Sequence, residues 1–497
     1  MLTCHYCAPR QSACSRHDMR AACTAHAPRS PVTRRPSTRR WSVPHAAPPR
    51  AAASPGVLLR AVQLLDVLLQ SPELDVQVEV KRALRKGGAG DTNDDRALLS
   101  RLVLGTTVLR ERLVYLATSA GLKPRASVLA ALYLVHHCDD APWWRLSLDD
   151  SRLRQLLDTP GDCTVAAIAQ AAPENTAWPA DEVQRLSMSR SVPVWLAELL
   201  VAQYGFPEAD GYMEACNRPG PITLRVNTLR ASVDAVSDAL TAAGHAVACG
   251  RFAPHALRLV DGRPPLGVWS LPGWSAGWYE IQDEGSQLIA QATGVQPGHT
   301  VVDLCAGNGG KTLAMANLMA GRGRIITFDV DARRLAHLAA SAARAGYAEC
   351  VAVCSTMDAL RDAVAAAPVD CVLVDAPCSS SGALRRTPHA RWAPSWRTET
   401  LEAPALQRQL LQDAASYVRP GGRVVYATCS VLDAENGDVT RSFEANNESF
   451  TPLSFTGDAA WTGPPACGQG RDHEVALLPH IHGTDGFYIA RWMRSSV

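Results

Sequence analysis

Two cysteines in this sequence each follow an apolar run and precede a serine. The segment 371–382 reads CVLVDAPCSSSG and the segment 426–432 reads YATCSVL, which places Cys378 and Cys429 just past two predicted strands. A thiolate is a strong nucleophile once its pKa is lowered. The alternatives are two small core side chains or a redox pair, although CxxC spacing is absent between them. Since neighbouring parallel strands lie about 4.8 Å apart, both thiols could face one cleft.

A glycine-rich segment, DLCAGNGGKT at 303–312, follows a predicted strand and opens a predicted helix. Glycines allow a sharp turn and close approach of a ligand, and the helix N-terminus offers free N–H groups. The spacing is not that of a P-loop, because Cys305 occupies the position of its first glycine. An acid that ends the next strand suits a ribose diol, either of NAD or of an adenosine-containing methyl donor. The candidate cofactor residues are Cys305, Ala306, Gly307, Asn308, Gly309, Gly310, Lys311 and Asp329.

A thiolate beside a methyl donor suits the methylation of carbon 5 of a pyrimidine. That carbon is a poor nucleophile while the ring is aromatic, and addition of a thiolate at carbon 6 turns it into an enamine carbon. A base must then remove the proton from carbon 5 so that the thiolate can leave. Asp375, three residues before Cys378, is placed to favour cytosine through the ring N3 and the exocyclic amine. The base must also leave its stack to enter such a pocket.

Residues 276–497 alternate predicted strands and helices. Strand-like runs include HTVVDL, GRIITFDV, VDCVLVDA, GGRVVYAT and GFYIARWM, and DARRLAHLAASAARAG has helical periodicity. This alternation predicts a Rossmann-like α/β domain with a parallel, doubly wound sheet. Ligands of such sheets bind at the carboxyl ends of the strands. The two cysteines and the glycine-rich turn all lie at such ends.

Two further domains are predicted before residue 276. Residues 57–175 repeat apolar side chains at three- and four-residue spacing, as in VLLRAVQLLDVLL, which predicts an all-α bundle. The adjacent His136 and His137 in it are interpreted as structural. Residues 176–275 mix helical and strand patterns, which predicts a small α+β module. Its Arg218, Arg225 and Arg230 are candidate RNA contacts, with solvated surface arginines as the alternative.

The first 56 residues differ in composition from the rest of the chain. They hold nine arginines, one acid and no lysine, a net charge of +8, so the remaining residues carry about −7 of the total of +1. An Arg- and Ser-rich, acid-poor start is typical of an organelle transit peptide, and a disordered basic tail is the alternative. One CxxC among its scattered cysteines and histidines does not predict a metal site. The sequence has no uninterrupted apolar run of about 18 residues, so no membrane span is expected.

These motifs resemble those of the RNA 5-methylcytosine methyltransferases. The resemblance rests on DAPCSSSGALRRTP with the following ARW, YATCSVL with the following EN, VNT, QDEGSQL and the terminal GFYIARW. The helical block is similar to a NusB-type RNA-binding domain, and the combination resembles the bacterial RsmB (Sun/Fmu) family. The resemblance covers about residues 57–497 and is strong over 276–497.

The resemblance implies a role for each site residue. Cys429 would be the nucleophile, Cys378 would help to resolve the adduct, and Asp375 would lie near the methyl donor and the base. Asp358 takes the place of an acid that contacts adenine, shifted by one residue. Two further departures are Gly307-Asn308, where the family has Ala-Pro, and His389, where it has an acid, which bears on RNA contacts.

The resemblance also implies S-adenosylmethionine as the cofactor and small-subunit ribosomal RNA, or a pre-ribosomal particle, as the partner. A monomer that binds neither DNA nor a membrane is expected. The leader favours an organelle, the chloroplast over the mitochondrion, with the cytoplasm as the alternative. A non-catalytic ribosome-assembly factor and a tRNA-directed enzyme are the alternative functions. Because the chain after the leader is acidic, RNA contacts must be local, and the expected patch is Arg385, Arg386, Arg391 and Arg397.

Overall fold

The computed structural model describes residues 55–87, 91–137, 164–262, 264, 267–467 and 471–496. The transit peptide expected over residues 1–56, with its cysteines and histidines, therefore falls almost wholly outside the described residues and stays a prediction. Among the described helices, none is long and apolar enough to cross a lipid bilayer.

The first described region is a helical bundle, as its apolar periodicity predicts. The apolar helix α5 is buried along most of its length and is surrounded by the others, whose leucines and valines complete one core. Asp75 accepts backbone hydrogen bonds at the start of α2, and Thr92 forms a capping box with Asp95 at the start of α3. His136 binds the carbonyl of Ile168 through Nε2 at 2.7 Å, which is a structural contact. The helices are α1 (Pro55–Gln70), α2 (Val76–Lys86), α3 (Asn93–Val108), α4 (Arg110–Ser119), α5 (Ala126–His136) and α6 (Val165–Gln170).

Three helices follow, α7 (Glu182–Arg190), α8 (Val194–Tyr204) and α9 (Phe206–Cys216). Their apolar side chains share a core with residues that follow the two cysteines in the chain, including Leu384, Trp396 and Val431. The Tyr204 and Gln203 side chains also donate to the carbonyl of Val431. These helices therefore support the segments that carry the thiols.

The small α+β module is an antiparallel sheet with one helix. Its strands lie in the order β2–β3–β1–β4, and one face packs on α10 through Leu224, Val226 and Leu257. The elements are β1 (Ile222–Val226), α10 (Val233–Ala242), β2 (Val247–Cys249), β3 (Ala256–Leu259) and β4 (Tyr279–Ile281).

The prediction that Arg225 contacts RNA is wrong. Arg225 lies on the other face of this sheet, is buried, and donates to Gln282 and to the carbonyl of Gly310 at 2.7 Å. Burial lowers its pKa to about 10. Arg218 and Arg230 are exposed; Arg218 pairs with Glu214, and Arg230 lies beside the end of a later helix. A strand arginine can thus point into a domain contact, which alternation alone does not reveal.

The rest of the chain forms a three-layer α/β domain. Its sheet runs β10–β12–β9–β8–β5–β6–β7, and β11 pairs with β12. Alternate strand residues enter two cores, one under α11, α12 and α13 and one under α14, α15 and α16. The elements are α11 (Glu284–Ala292), β5 (Thr300–Asp303), α12 (Gly310–Leu318), β6 (Arg324–Phe328), α13 (Ala332–Ala345), β7 (Val351–Cys354), α14 (Met357–Ala365), β8 (Val369–Asp375), α15 (Trp396–Tyr417), β9 (Val418–Thr428), α16 (Gly437–Asn446), β10 (Phe450–Pro452), β11 (Glu474–Leu477), α17 (Pro479–His482) and β12 (Phe487–Arg494).

The predicted fold class, with a helical region, a small α+β module and a Rossmann-like domain, is confirmed. The central strands β5 to β9 are parallel, as predicted. The edge differs, because β12 runs antiparallel to β9 and pairs antiparallel with β10 and β11. An apolar run such as GFYIARWM shows that a strand is buried but not its direction, so the prediction of a wholly parallel sheet was wrong there.

Three of the four arginines expected to form an RNA patch are bound to the protein itself. Arg385 and Arg386 pair with Asp485, and Arg386 also pairs with Asp283 at 2.8 Å. Arg391 is 2% exposed and donates to the carbonyls of Ser191 and Cys216 and to Asn217, at 2.8–3.2 Å. The predicted patch is therefore wrong as a free surface, and only Arg397 of the four is exposed.

Arg391→Met is expected to destabilise the fold by about 3 kcal/mol, because two buried carbonyls and the half-buried Asn217 would lose their donor. The shift in the midpoint of urea denaturation measures this loss. Arg397→Met, which removes an exposed arginine nearby, is the control and should change stability by less than about 0.5 kcal/mol. Equally small effects of both substitutions would contradict the structural role of Arg391.

Candidate active site

The parallel pairing of β8 and β9 brings the two cysteines together. Asp375, the last residue of β8, is paired with Ala427 near the end of β9. Cys378 and Cys429 follow within three residues, so both leave the sheet at the same edge. Their Sγ atoms lie 3.3 Å apart and both side chains are half-buried. The cysteines in the described part of the chain are all free thiols.

The two thiols differ in acidity. The hydrogen bond from Cys378 lowers the pKa of Cys429, and the Ser380 hydroxyl 3.4 Å away and the Lys311 ammonium lower it further against the effects of burial and Asp375. The same hydrogen bond, together with burial, raises the pKa of Cys378. Cys429 is therefore the thiol that ionises first, with Cys378 as its donor.

An ion pair lies beside the thiols. Lys311 Nζ donates to Asp375 Oδ2 at 2.5 Å, and the lysine side chain is only 15% exposed. Burial alone would lower the pKa of Lys311, but the Asp375 carboxylate outweighs it and raises that pKa. The lysine thus stays charged, compensates Asp375 and favours the thiolate of Cys429.

The glycine-rich turn connects β5 to α12 beside this ion pair. Gly307 and Gly309 have φ of +55° and +86°, and a Cβ on Gly309 would lie 2.1 Å from Leu338 Cδ1. The Gly307 amide donates to Asp329 Oδ2 at 2.8 Å, which fixes the turn against the end of β6. Ala306 hydrogen bonds to the carbonyl of Phe328, while Asn308 and Gly310 are exposed. Burial and the neighbouring carboxylates raise the pKa of Cys305, so its thiol stays neutral.

A buried carboxyl that the sequence analysis did not single out lies below this turn. Asp303 ends β5 and accepts from Thr312 Oγ1 at 2.6 Å, whereas its Oδ1 has no hydrogen-bond partner. Burial raises its pKa to about 7. An unpaired buried acceptor suits the ammonium group of S-adenosylmethionine, and Asp329 suits its ribose. The residues of the turn therefore fit this cofactor.

Asp358 stands apart from these groups. Its carboxylate is 88% exposed in the first turn of α14 and pairs with Arg361 at 3.1 Å. Among the described contacts, it forms none with the turn or the thiols. Its assignment to the adenine of the cofactor remains a prediction.

Glu435, the other residue missed by the sequence analysis, joins the two cysteine segments. Its carboxylate is 0% exposed. It accepts from the Ser379 amide at 2.7 Å, from Ser379 Oγ at 2.5 Å, from Ser430 Oγ and from Gln407. Ser379 and Ser430 are the serines that directly follow the two cysteines. The repeated Cys-Ser pair, together with the Glu-Asn that follows YATCSVL, was the available signal for this contact.

Comparison with known proteins agrees with this geometry. Residues 290–493 match the model of the 16S rRNA methyltransferase RsmB/F family, and residues 192–264 match its ferredoxin-like domain. The ribosomal RNA small subunit methyltransferase B of Bacillus subtilis, named as probable, is 32% identical over 62% of this chain and 68% of its own length. The chain belongs to the RsmB/F family. Members of this family use S-adenosylmethionine as their cofactor.

Two further similarities extend the RsmB/F assignment. A Synechocystis relative, also named as a probable ribosomal RNA small subunit methyltransferase B, is 33% identical over 60% of this chain and 66% of its own length. The matched segment thus spans about two thirds of the length of these curated relatives. The crystal structure of PH0851 superposes with a TM-score of 0.69 at 26% identity, over 89% of this chain and 99% of that one.

Lys311→Met is expected to raise the pKa of Cys429, because the ammonium that favours the thiolate is lost and Asp375 is left uncompensated. The thiolate fraction at neutral pH, and with it the rate of alkylation of Cys429 by iodoacetamide, should fall by about tenfold. Rates measured from pH 6 to 10 by mass spectrometry of the Cys429 peptide test this. Lys311→Arg keeps the charge, and its rates of alkylation should stay close to those of the wild type. An unchanged dependence of the rate on pH in Lys311→Met would contradict the effect of Lys311 on the pKa of Cys429.

Glu435→Gln is expected to separate the thiols, because the amide replaces one acceptor oxygen by an NH2 donor. That donor must face either the two serine hydroxyls at Oε2 or the Ser379 and Gln407 N–H groups at Oε1, which all donate to Glu435 in the wild type. Methyl transfer should fall by about 10²-fold, while the affinity for S-adenosylmethionine should not change. The pKa of Cys429, read from its rate of alkylation against pH, should rise. Glu474→Gln changes another buried glutamate, which pairs with Arg471 instead, and serves as the matched control. Equal activities of the two variants would count against the role of Glu435 in holding the two cysteine segments together.

Proposed function

We propose that this protein transfers a methyl group from S-adenosylmethionine to carbon 5 of a cytosine in RNA, through a covalent adduct with Cys429. The observation that carries the proposal is the thiol pair, 3.3 Å apart, beside the Lys311–Asp375 ion pair. The thiols, the ion pair and the glycine-rich turn share the carboxyl edge of one sheet. A redox role of the two thiols would not require the Lys311–Asp375 ion pair or the glycine-rich turn.

Cys429 begins the reaction as a thiolate. Its lone pair forms the bond to carbon 6, and the electrons of the 5,6 double bond move into conjugation with N3, so carbon 5 becomes nucleophilic. Bound S-adenosylmethionine supplies an electrophilic methyl group for that carbon. The neighbouring Cys378 and Ser380 hydrogen bonds and the Lys311 ammonium lower the pKa of Cys429 and so increase its thiolate fraction.

Asp375 and Lys311 orient the base. Lys311 occupies Oδ2 of Asp375, and the second carboxylate oxygen is free to bind the N3–H and exocyclic amine side of the cytosine adduct. Uracil presents a carbonyl in place of the amine and would meet a carboxylate there, which is unfavourable. This pairing supports cytosine as the substrate base.

Cys378 completes the reaction. Once the sulfur of Cys429 is bonded to carbon, its negative charge is gone, and the hydrogen bond that raised the pKa of Cys378 is lost with it. Cys378 can then lose its proton to solvent, and the resulting thiolate accepts the proton of carbon 5. The electrons of the C–H bond restore the 5,6 double bond, and Cys429 leaves with the pair of the C–S bond.

Small-subunit ribosomal RNA is the proposed substrate, since the curated relatives carry that substrate in their names. A NusB-like assignment of the helical bundle and the domain boundaries at 56, 175 and 275 belong to the same proposal. The same proposal includes a monomeric protein that binds neither DNA nor a membrane. It also includes an Arg-rich leader that targets the protein to an organelle, the chloroplast rather than the mitochondrion. Both thiols and Asp375 are present, which favours an enzyme over a non-catalytic assembly factor.

Substitution of each cysteine tests the proposed function. Cys429→Ala should abolish methylation and form no adduct, whereas Cys378→Ala should still attack and methylate but release slowly. The trapped protein–RNA adduct should appear as a shifted band on a denaturing gel, and bisulfite sequencing should locate the methylated cytosine. The reverse pattern would exchange the roles of the thiols. Wild-type methylation in both variants would refute the covalent route.

A further inference from the structure

Helix α2 carries an exposed basic face. Lys81, Arg82, Arg85 and Lys86 lie one and four residues apart, so they share one side of the helix. All four side chains are exposed, whereas Val76 and Val80 on the other side enter the core of the helical bundle. Two of the four lysines of the whole chain lie within residues 81–86. We call these four residues the α2 basic face.

The charge of this face is largely uncompensated. Within the described part of the chain, Arg82 pairs with Glu79, while Lys81, Arg85 and Lys86 form no ion pair. The chain after residue 56 carries a net charge of about −7. The arginines expected to contact RNA, Arg385, Arg386 and Arg391, are bound to protein groups. Within the described residues, these three arginines expected to meet a polyanion are therefore already engaged, whereas the α2 basic face is open to one.

The same helix docks against the segment that follows Cys378. Gln77, in the first turn of α2, donates to the carbonyl of Arg386. Asp75, its N-cap, lies 3.8 Å from the His389 ring, and Trp392 donates to the carbonyl of Thr107 at 2.8 Å. His389, which stands where the family resemblance implies an acid, thus faces the helical bundle. At about 1.5 Å per residue, the basic face begins about 6 Å beyond Gln77 and ends within about 14 Å.

We propose that the α2 basic face binds backbone phosphates of the RNA beside the nucleotide held at Cys429. The proposal rests on RNA as the substrate of the proposed function. Lys81 to Lys86 span about 8 Å along the helix, enough for two neighbouring phosphates. Such contacts fix the position of the RNA without reading its sequence. The hydrogen bonds of Gln77 and Trp392 hold this surface against the segment that carries Cys378.

Binding measured against salt tests the proposal. The variant Lys81→Gln/Arg85→Gln/Lys86→Gln removes the three unpaired charges, in a Cys429→Ala background that prevents turnover. With transcribed small-subunit rRNA, the slope of log K against log [KCl] should become shallower by about 2. The Kd near 0.15 M salt should rise at least about tenfold. Affinity for S-adenosylmethionine and the thermal midpoint should be unchanged.

A matched control removes three exposed charges elsewhere. Arg322, Arg324 and Arg419 lie at the amino ends of β6 and β9, opposite the thiols, and their replacement by Gln should leave the slope unchanged. The charge-conserving Lys81→Arg/Arg85→Lys/Lys86→Arg should bind like the parent. An unchanged slope in the first variant, or equal losses in the control, would overturn the proposal. Loss of the slope without any methylated cytosine in the wild type would instead refute only the proposed function.

Discussion

The carboxylate of Glu435 has no access to solvent, so its charge must be balanced by hydrogen bonds from the protein. Ser379 and Ser430 supply most of them, and each directly follows one of the two cysteines. This requirement fixes the end of β8 against the end of β9. The 3.3 Å separation of the thiols then follows from covalent geometry, since each cysteine is one residue away from a constrained serine. A loss of this balance would cost both stability and alignment.

The thiols need more than proximity, because two equal thiols would share a proton without a preferred nucleophile. The surrounding charges break that symmetry. Lys311 lies near Cys429 and favours its thiolate, while the half-buried Cys378 donates a hydrogen bond to the sulfur of Cys429. Asp375 holds the lysine in place and opposes the thiolate, so the ion pair sets a limit on how far the pKa of Cys429 falls. The same two residues link the cysteine edge to the cofactor turn, because Lys311 is the second residue of α12.

The residues of the candidate active site were predictable because their type and position at strand ends carry information. Cys378, Cys429, Asp375 and Lys311 meet at one edge because parallel strands end together. Buried polar contacts between distant segments were not predictable. Arginine is a residue type that usually lies on the surface, yet Arg225 and Arg391 donate to carbonyls of other regions of the chain. The sequence analysis included Glu435 only in the Glu-Asn pair that follows YATCSVL. Its role was not predictable, because it depends on two serines that lie 51 residues apart in the sequence. The direction of β12 was not predictable either, because an apolar run does not show which strands it pairs with.

Three parts of the chain contact the segment between Cys378 and α15. Helices α7–α9 pack on Leu384 and bind Arg391, and the segment before β12 binds Arg385 through Asp485. The helical bundle binds the carbonyl of Arg386 and the indole of Trp392. The small module reaches the cofactor turn through Arg225 in the same way. RNA bound to either accessory region would therefore act on groups that adjoin the thiols or the cofactor turn. Removal of the helical bundle would leave the Arg386 carbonyl and the Trp392 indole without these partners, so the orientation of the Cys378 segment depends on the bundle.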